Sequence, residues 1–217
     1  MRAARRRTGR TMPAAWLPAL CIALLSALPC AGRAAGASCG APERFAWVAA
    51  DAAGARSGRL DVVELRSGRT VQRIEVPENY FAGQAGGGVE SLDLNNDGCA
   101  DLIVTRDMAA IGNRMVTVYL YDRARRRFVP NKALSDIGDP TLDERDPNCV
   151  IGLWRGGAED FYSSRHCWRG GRLVLVSDYS QTPLYDKASN EFACYEVVET
   201  TYTGKRKHER RRCTKTP

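Results

Sequence analysis

Helical periodicity is missing from this chain: nowhere do apolar residues recur at three- and four-residue spacing over a useful length, which sets aside helical bundles and alternating α/β folds. Histidine is scarce, with two in 217 residues, His166 and His208, and neither belongs to an HExxH pair. That excludes the zinc hydrolases built on that motif. The chain has no P-loop and no CxxC, so the corresponding nucleotide-binding, thiol-redox and zinc-ribbon readings fall away. His166 lies in "SSRHCW", on an expected strand where a structural role is the simpler one.

A long uninterrupted apolar run is also lacking. The first 37 residues carry a basic, acid-free head, then an apolar stretch broken by Pro13, Pro18 and Pro29, then small residues. A membrane span wants about 20 apolar residues, whereas this order is that of a secretory leader. Cleavage after Ala37 is expected from Ala35 and Ala37, or a few residues earlier, leaving one domain over 38–217 exported to the periplasm with no stable membrane insertion. Cys30 offers a lipoprotein alternative.

The leader takes six arginines with it, which leaves 26 basic against 25 acidic residues. The overall pI of about 9.1 therefore reflects targeting, and nucleic acid is not an expected partner. From Ser38 to Gly204 the count is 19 basic and 24 acidic; after Gly204 it is seven basic and Glu209 alone. The acidic body favours cationic partners or simply solubility. The run "TGKRKHERRRC" suits either an anionic surface or the solvated end of a hairpin, and it lacks the aromatics that stack on single-stranded nucleic acid.

What the remainder does have is cysteine and short strand-like runs. Six cysteines follow the leader, an even number that suits disulfides in an exported chain. Cys149 with Cys167 and Cys194 with Cys213 each bracket a plausible hairpin, which leaves Cys39 with Cys99. "RLDVVEL", "RSGR" and "TVQRIEV" read as strand, turn and strand. "VESLDL", "DLIVT", "RMVTVYLYD", "NCVIGLW", "RLVLVSDY" and "FACYEVVETTY" continue the pattern. The expectation is an all-β, antiparallel, disulfide-bonded domain, sandwich-like or propeller-like. Two long loops, "PENYFAGQAGGGV" and "SDIGDPTLDERDPN", interrupt it, serving either as binding loops or as connectors.

Between two of those strands stands "DLNNDGCAD". Counting Asp93 as one, side-chain oxygens fall at positions one, three, five and nine (Asp93, Asn95, Asp97, Asp101), Gly98 at six and the Cys99 carbonyl at seven. Alternating oxygens with a glycine at the tight turn are what a hard cation requires, and Ca²⁺ is the expected cofactor. Position twelve is Val104, not the glutamate of a helical EF-hand, and strands flank the loop. It resembles the strand-loop-strand calcium loops of FG-GAP and related β-propeller repeats, although a single copy argues against a full propeller of such loops.

The order "DLNNDGCADLIV", "GNRMVTVYLYDRARRRF", "LSDIGDPTLDERD", "WRGGAEDFYSSRHCWRGGRLVLV", over roughly Glu90 to Gly171, resembles a family of exported Gram-negative β proteins. These bind Ca²⁺ and act as periplasmic lysozyme inhibitors. Some are immunity proteins encoded beside peptidoglycan-cleaving effectors of a killing type IV secretion system. The resemblance implies the calcium loop, a structural "YLYD...F" hairpin and a peptidoglycan hydrolase as partner. If the chain inhibits, it needs a protruding group to fill the hydrolase cleft. The turn "RGGAEDFYSS" is the expected one, with Glu159, Asp160 and Tyr162 as the reaching side chains. A catalytic role is not expected. A secreted calcium-binding adhesion or carbohydrate-recognition module is the alternative, and a hydrolase using unrecognised carboxylates is a third reading.

Overall fold

The computed structural model describes Cys39, the backbone of 44–49, and residues 57–81 and 88–216. The leader, Cys30 and the Gly-rich segment 82–87 lie outside the described residues. Thirteen strands and one single-turn helix are described. In chain order they are β1 Arg44–Ala49, β2 Gly58–Val63, β3 Thr70–Val76, β4 Val89–Leu92, β5 Asp101–Met108, β6 Arg114–Asp122, β7 Arg127–Pro130, α1 Lys132–Ser135, β8 Thr141–Leu142, β9 Cys149–Arg155, β10 Phe161–Arg169, β11 Arg172–Tyr185, β12 Phe192–Thr203 and β13 Arg206–Thr214.

The strands form three antiparallel sheets: an N-terminal sheet β1-β2-β3, a central sheet β4-β5-β6-β7 and a C-terminal sheet β8 to β13. Within each sheet every strand pairs with its neighbour in sequence, so local hairpin chemistry sets the topology. In the β2–β3 turn, for example, Gly68 takes a φ of +67° while its N–H reaches the Glu64 carbonyl at 2.8 Å.

The central sheet is covered on both faces. Leu102 and Val104 join Leu60, Val62, Ile74 and Val76 of the N-terminal sheet in one core. Ile103, Val116 and Val118 point the other way, to Leu134 of α1 and Val150 of β9, with Trp168 and Leu173 packed alongside. This two-sided burial explains why β5 reads "DLIVT", a continuous apolar run and not an alternation.

Two amide side chains bridge the sheets as if they were backbone. Gln72 donates to the Phe128 carbonyl at 2.8 Å and accepts from the Phe128 N–H at 2.7 Å, tying β3 to β7. Asn113 does the same with Arg155, at 2.7 and 2.8 Å, tying the β5–β6 turn to the end of β9. The disulfides are Cys39–Cys99, Cys149–Cys167 and Cys194–Cys213; the second joins directly opposed positions of β9 and β10. Among the described residues no helix is long and apolar enough to cross a membrane.

One sequence expectation changes. The segment 155–164 is not all loop, because β10 begins at Phe161 and only 156–160 turn. The basic run after Gly204 is the exposed second strand of the hairpin that Cys194 and Cys213 bracket, β13, paired with β12 over Thr203 to Tyr195.

Candidate functional site

The acidic loop lies where the sheets meet. Asp93 Oδ1 and Asn95 Oδ1 both accept from the Asp97 N–H at 3.1 Å, Asp93 Oδ2 accepts from Gly98 N–H at 2.8 Å, and Asp97 Oδ1 accepts from Cys99 N–H at 2.7 Å. Three oxygen-bearing side chains thus gather around the loop's own amides, as short Asx residues do in turns. Gly98 has a φ of +83°, and a Cβ there would meet Arg123 Nη2 at 3.2 Å. Arg123 donates to the Asp97 carbonyl, and its Nε lies 2.8 Å from Cys99 Sγ.

Asp101 is placed differently from the other three. It is fully buried, and its two oxygens accept the N–H groups of Leu94 and Tyr121, each at 2.9 Å. Burial pushes its carboxyl up to about 7 and the Asp97 and Asp93 charges add to this, against the lowering effect of the two amides. The donors are all hard oxygens, and a buried carboxyl raised partly by its neighbours' negative charge is the setting a cation relieves. In donor type these residues suit a hard cation. Among the described residues, Asp146, Cys149 and Cys167 form the one cluster of three His, Cys, Asp or Glu donors within 4.8 Å, and its two sulfurs are joined to each other, so no thiolate is available.

The loop is also docked on the C-terminal sheet. Trp168 Nε1 donates to the Leu94 carbonyl at 2.7 Å, and Asn96 Nδ2 donates to Asn148 Oδ1 at 3.0 Å. Trp168 stands at the far end of β10 from Tyr162. At roughly 3.3 Å per residue the two are about 20 Å apart along the strand. The acidic loop and the expected contact turn therefore occupy opposite ends of one strand.

The structure divides the three expected contact residues between two faces. Glu159 and Asp160 lie with Arg155, Phe161, Gln181 and Tyr195 around a small groove of about 270 Å³. Asp160 is committed to the turn: its carbonyl accepts from Gly156 N–H at 3.0 Å, and its Oδ1 accepts from the Thr182 hydroxyl at 3.0 Å. Burial raises the Tyr195 hydroxyl, and the hydrogen bond with Glu159 raises it further.

Tyr162 points to the opposite face, where it is 40 % exposed directly across from Trp154 of β9, also 40 % exposed. Burial and the nearby Asp178 charge raise its hydroxyl. The two rings line a groove of about 350 Å³ with Arg106, Met115, Asp136 and Ile137. Arg106 makes no ion pair among the described residues. Trp154 was not singled out from sequence, yet the signal was present, since Trp154 and Tyr162 stand equally far from Ala158 at the turn's centre and must be cross-strand partners.

The molecule is thus a disulfide-bonded, three-sheet antiparallel β protein with an exposed aromatic pair beside a groove at one end of β10 and an acidic loop at the other. No family model matches the chain, and no curated protein matches it. A solved structure described as a Xanthomonas type IV secretion system related protein is similar to it, with a TM-score of 0.51 and 19% identity, covering 76% of this chain and 85% of that one. At that identity the likeness is one of fold.

Proposed function

We propose that this chain is an exported, immunity-type inhibitor of a lysozyme-like peptidoglycan hydrolase, residing in the periplasm and acting by binding, without chemistry of its own. The observation that carries the reading is the half-exposed Trp154–Tyr162 pair beside the 156–160 turn. Aromatic side chains with large apolar area, a polar tip and few rotatable bonds are the usual anchors of a tight interface. The motif order that resembles periplasmic lysozyme inhibitors supports the same assignment. So does the fold shared with a type IV secretion system related protein.

Tyr162 and Trp154 make the leading contact, with Asp160 fixed beside them by its bond from Thr182, while Glu159 stands on the other face with Tyr195. The Asn113 bridge to Arg155 holds the end of β9 still, which lowers the ordering cost of binding. Ca²⁺ would be held by Asp93, Asn95, Asp97 and the Cys99 carbonyl, with Asp101 closing the set. It would supply charge neutralisation to the loop that joins the sheets, remote from the contact.

The test is turbidity clearing of peptidoglycan by several muramidases, one of them encoded beside this chain. The protein slows clearing, and Tyr162→Ala and Trp154→Ala each weaken inhibition by at least about tenfold with unchanged melting. A lack of effect on every muramidase sinks the proposal. The groove's Arg106 and Asp136, set beside two aromatic rings, favour a second reading, a carbohydrate-recognition module. Saturable binding of chitooligosaccharides without inhibition would select it.

A further inference from the structure

The last strand has no place in the inhibitor reading, and its chemistry is distinctive. β13 is the outer edge of the C-terminal sheet, with no strand paired to its far side among the described residues. Its residues are exposed from Arg206 to Cys213. Side chains alternate along it, so Lys207, Glu209 and Arg211 share one face and Arg206, His208, Arg210 and Arg212 the other.

The first face is neutralised: Glu209 pairs with Lys207 at 2.7 Å and Arg211 at 2.6 Å, and Glu196 lies 3.5 Å from Arg211. On the second face only Arg212 is paired, to Glu199 at 2.6 Å. Arg206 and Arg210 have no ion pair among the described residues. Positive charge is left over at Arg206 and Arg210, about 13 Å apart along the strand at roughly 3.3 Å per residue.

At the end of this edge the β11–β12 hairpin tip exposes apolar surface. Leu184 is 41 %, Tyr185 51 % and Phe192 38 % exposed, and the Tyr185 and Phe192 ring centroids are 6.1 Å apart. Lys215, just past β13, holds its ammonium 5.9 Å from the Phe192 ring centre. The aromatic tip and the basic row are therefore contiguous.

A second copy does not suit this edge, because pairing two β13 strands would set arginine against arginine. An anionic bilayer suits both parts. Basic side chains are drawn to its headgroups, and aromatic rings favour its interface. The net negative charge of 38–204 turns the rest of the chain away from such a surface, which leaves the edge as the approach.

We propose that the β13 edge, with Tyr185 and Phe192 at its end, docks edge-on against the surface of an anionic phospholipid bilayer. The site is separate from the Trp154–Tyr162 face and stands whether or not that face inhibits a hydrolase.

The test uses protein recovered after export and vesicles of phosphatidylcholine with and without phosphatidylglycerol. The protein co-sediments with the anionic vesicles and is released at about 0.5 M salt. Each basic residue near such a surface contributes about five-fold to partition, so the double variant Arg206→Glu, Arg210→Glu lowers it by at least about 25-fold. The reversal Arg66→Glu, Arg69→Glu in the β2–β3 turn leaves it nearly unchanged. A Tyr185→Trp variant shifts its emission to the blue on anionic vesicles. All variants share one N-terminus, so any leader or lipid contribution cancels, and an unchanged urea midpoint confirms folding. Equal sedimentation with neutral vesicles, or an equal loss from the β2–β3 reversal, overturns the proposal. Binding to soluble polyglutamate as tight as to vesicles, with no emission shift in the Tyr185→Trp variant, also overturns it and points to an acidic protein strand instead.

Discussion

The Asn113 side chain donates to the carbonyl of Arg155 and accepts from its N–H, so that one amide continues the ladder between the central and C-terminal sheets. The link falls on the last residue of β9, immediately before the turn that precedes Tyr162. Asn113→Ala removes both bonds and leaves two backbone groups to find water. A loss of about 1 to 3 kcal/mol is expected, read from the urea midpoint, together with weaker hydrolase inhibition. Full inhibition by a destabilised variant would show that the turn needs no bracing from Asn113.

Gly152 is required by a close approach. A Cβ there would lie 2.0 Å from the Ile137 carbonyl oxygen, whereas one at Gly157 meets only Asp160 Cβ at 3.8 Å. Backbone cannot yield as a side chain can, so Gly152→Ala costs about 3 kcal/mol or more. Gly157→Ala is tolerated. Thermal melts of the two variants check the contrast.

Asp101, raised to about 7 by burial, contributes stability at low pH that is lost as pH rises from about 4 towards 7, and two other groups act in the opposite sense. Burial pushes the Asp143 carboxyl up, but hydrogen bonds from Arg165 and Arg145 outweigh it and hold the group below its usual range. Its contribution is therefore present above about pH 4, the unfolded value, and is lost as pH falls through the lower folded value. His166 is pushed down by burial, and its Nδ1 has no hydrogen-bond partner among the described residues. Below about pH 6.5 the unfolded chain takes up that proton first, so stability falls there as well. Melting temperature against pH should fall less steeply below about pH 6.5 in His166→Gln and less steeply below about pH 4 in Asp143→Asn than in the parent.

Calcium should raise the melting temperature by mass action. At a free concentration one hundred times Kd the gain is about 2.7 kcal/mol. Asp97→Ala should abolish both the calorimetric heat and the shift. An unchanged melt in excess chelator and in excess Ca²⁺ would remove the ion from the account.

Much of the architecture was legible because it is local. Strand, turn and strand follow one another along the chain, so alternation and Gly or Asn breaks were enough to mark most hairpins. The cysteine spacings around β9–β10 and β12–β13 pointed to the disulfides for the same reason. β13 was obscured because its run of arginine and lysine carries no apolar face; ladder bonds to β12 and the Cys194–Cys213 link hold it as a strand. The contact turn was read as too long because "DFYSS" is polar enough to pass for loop, while its register with Trp154 and Ser180 belongs to a strand.

By itself the sequence determined an all-β chain of consecutive hairpins and an oxygen-rich loop with its glycine at the turn, since both depend on residues near one another along the backbone. Only the tertiary structure decided that the central sheet is buried on both faces, that Asp101 spends its oxygens on two backbone amides, and that Tyr162 parts from Glu159 to stand beside Trp154. Those outcomes depend on which strand faces which across the layers, and that is set by packing between residues far apart in the chain.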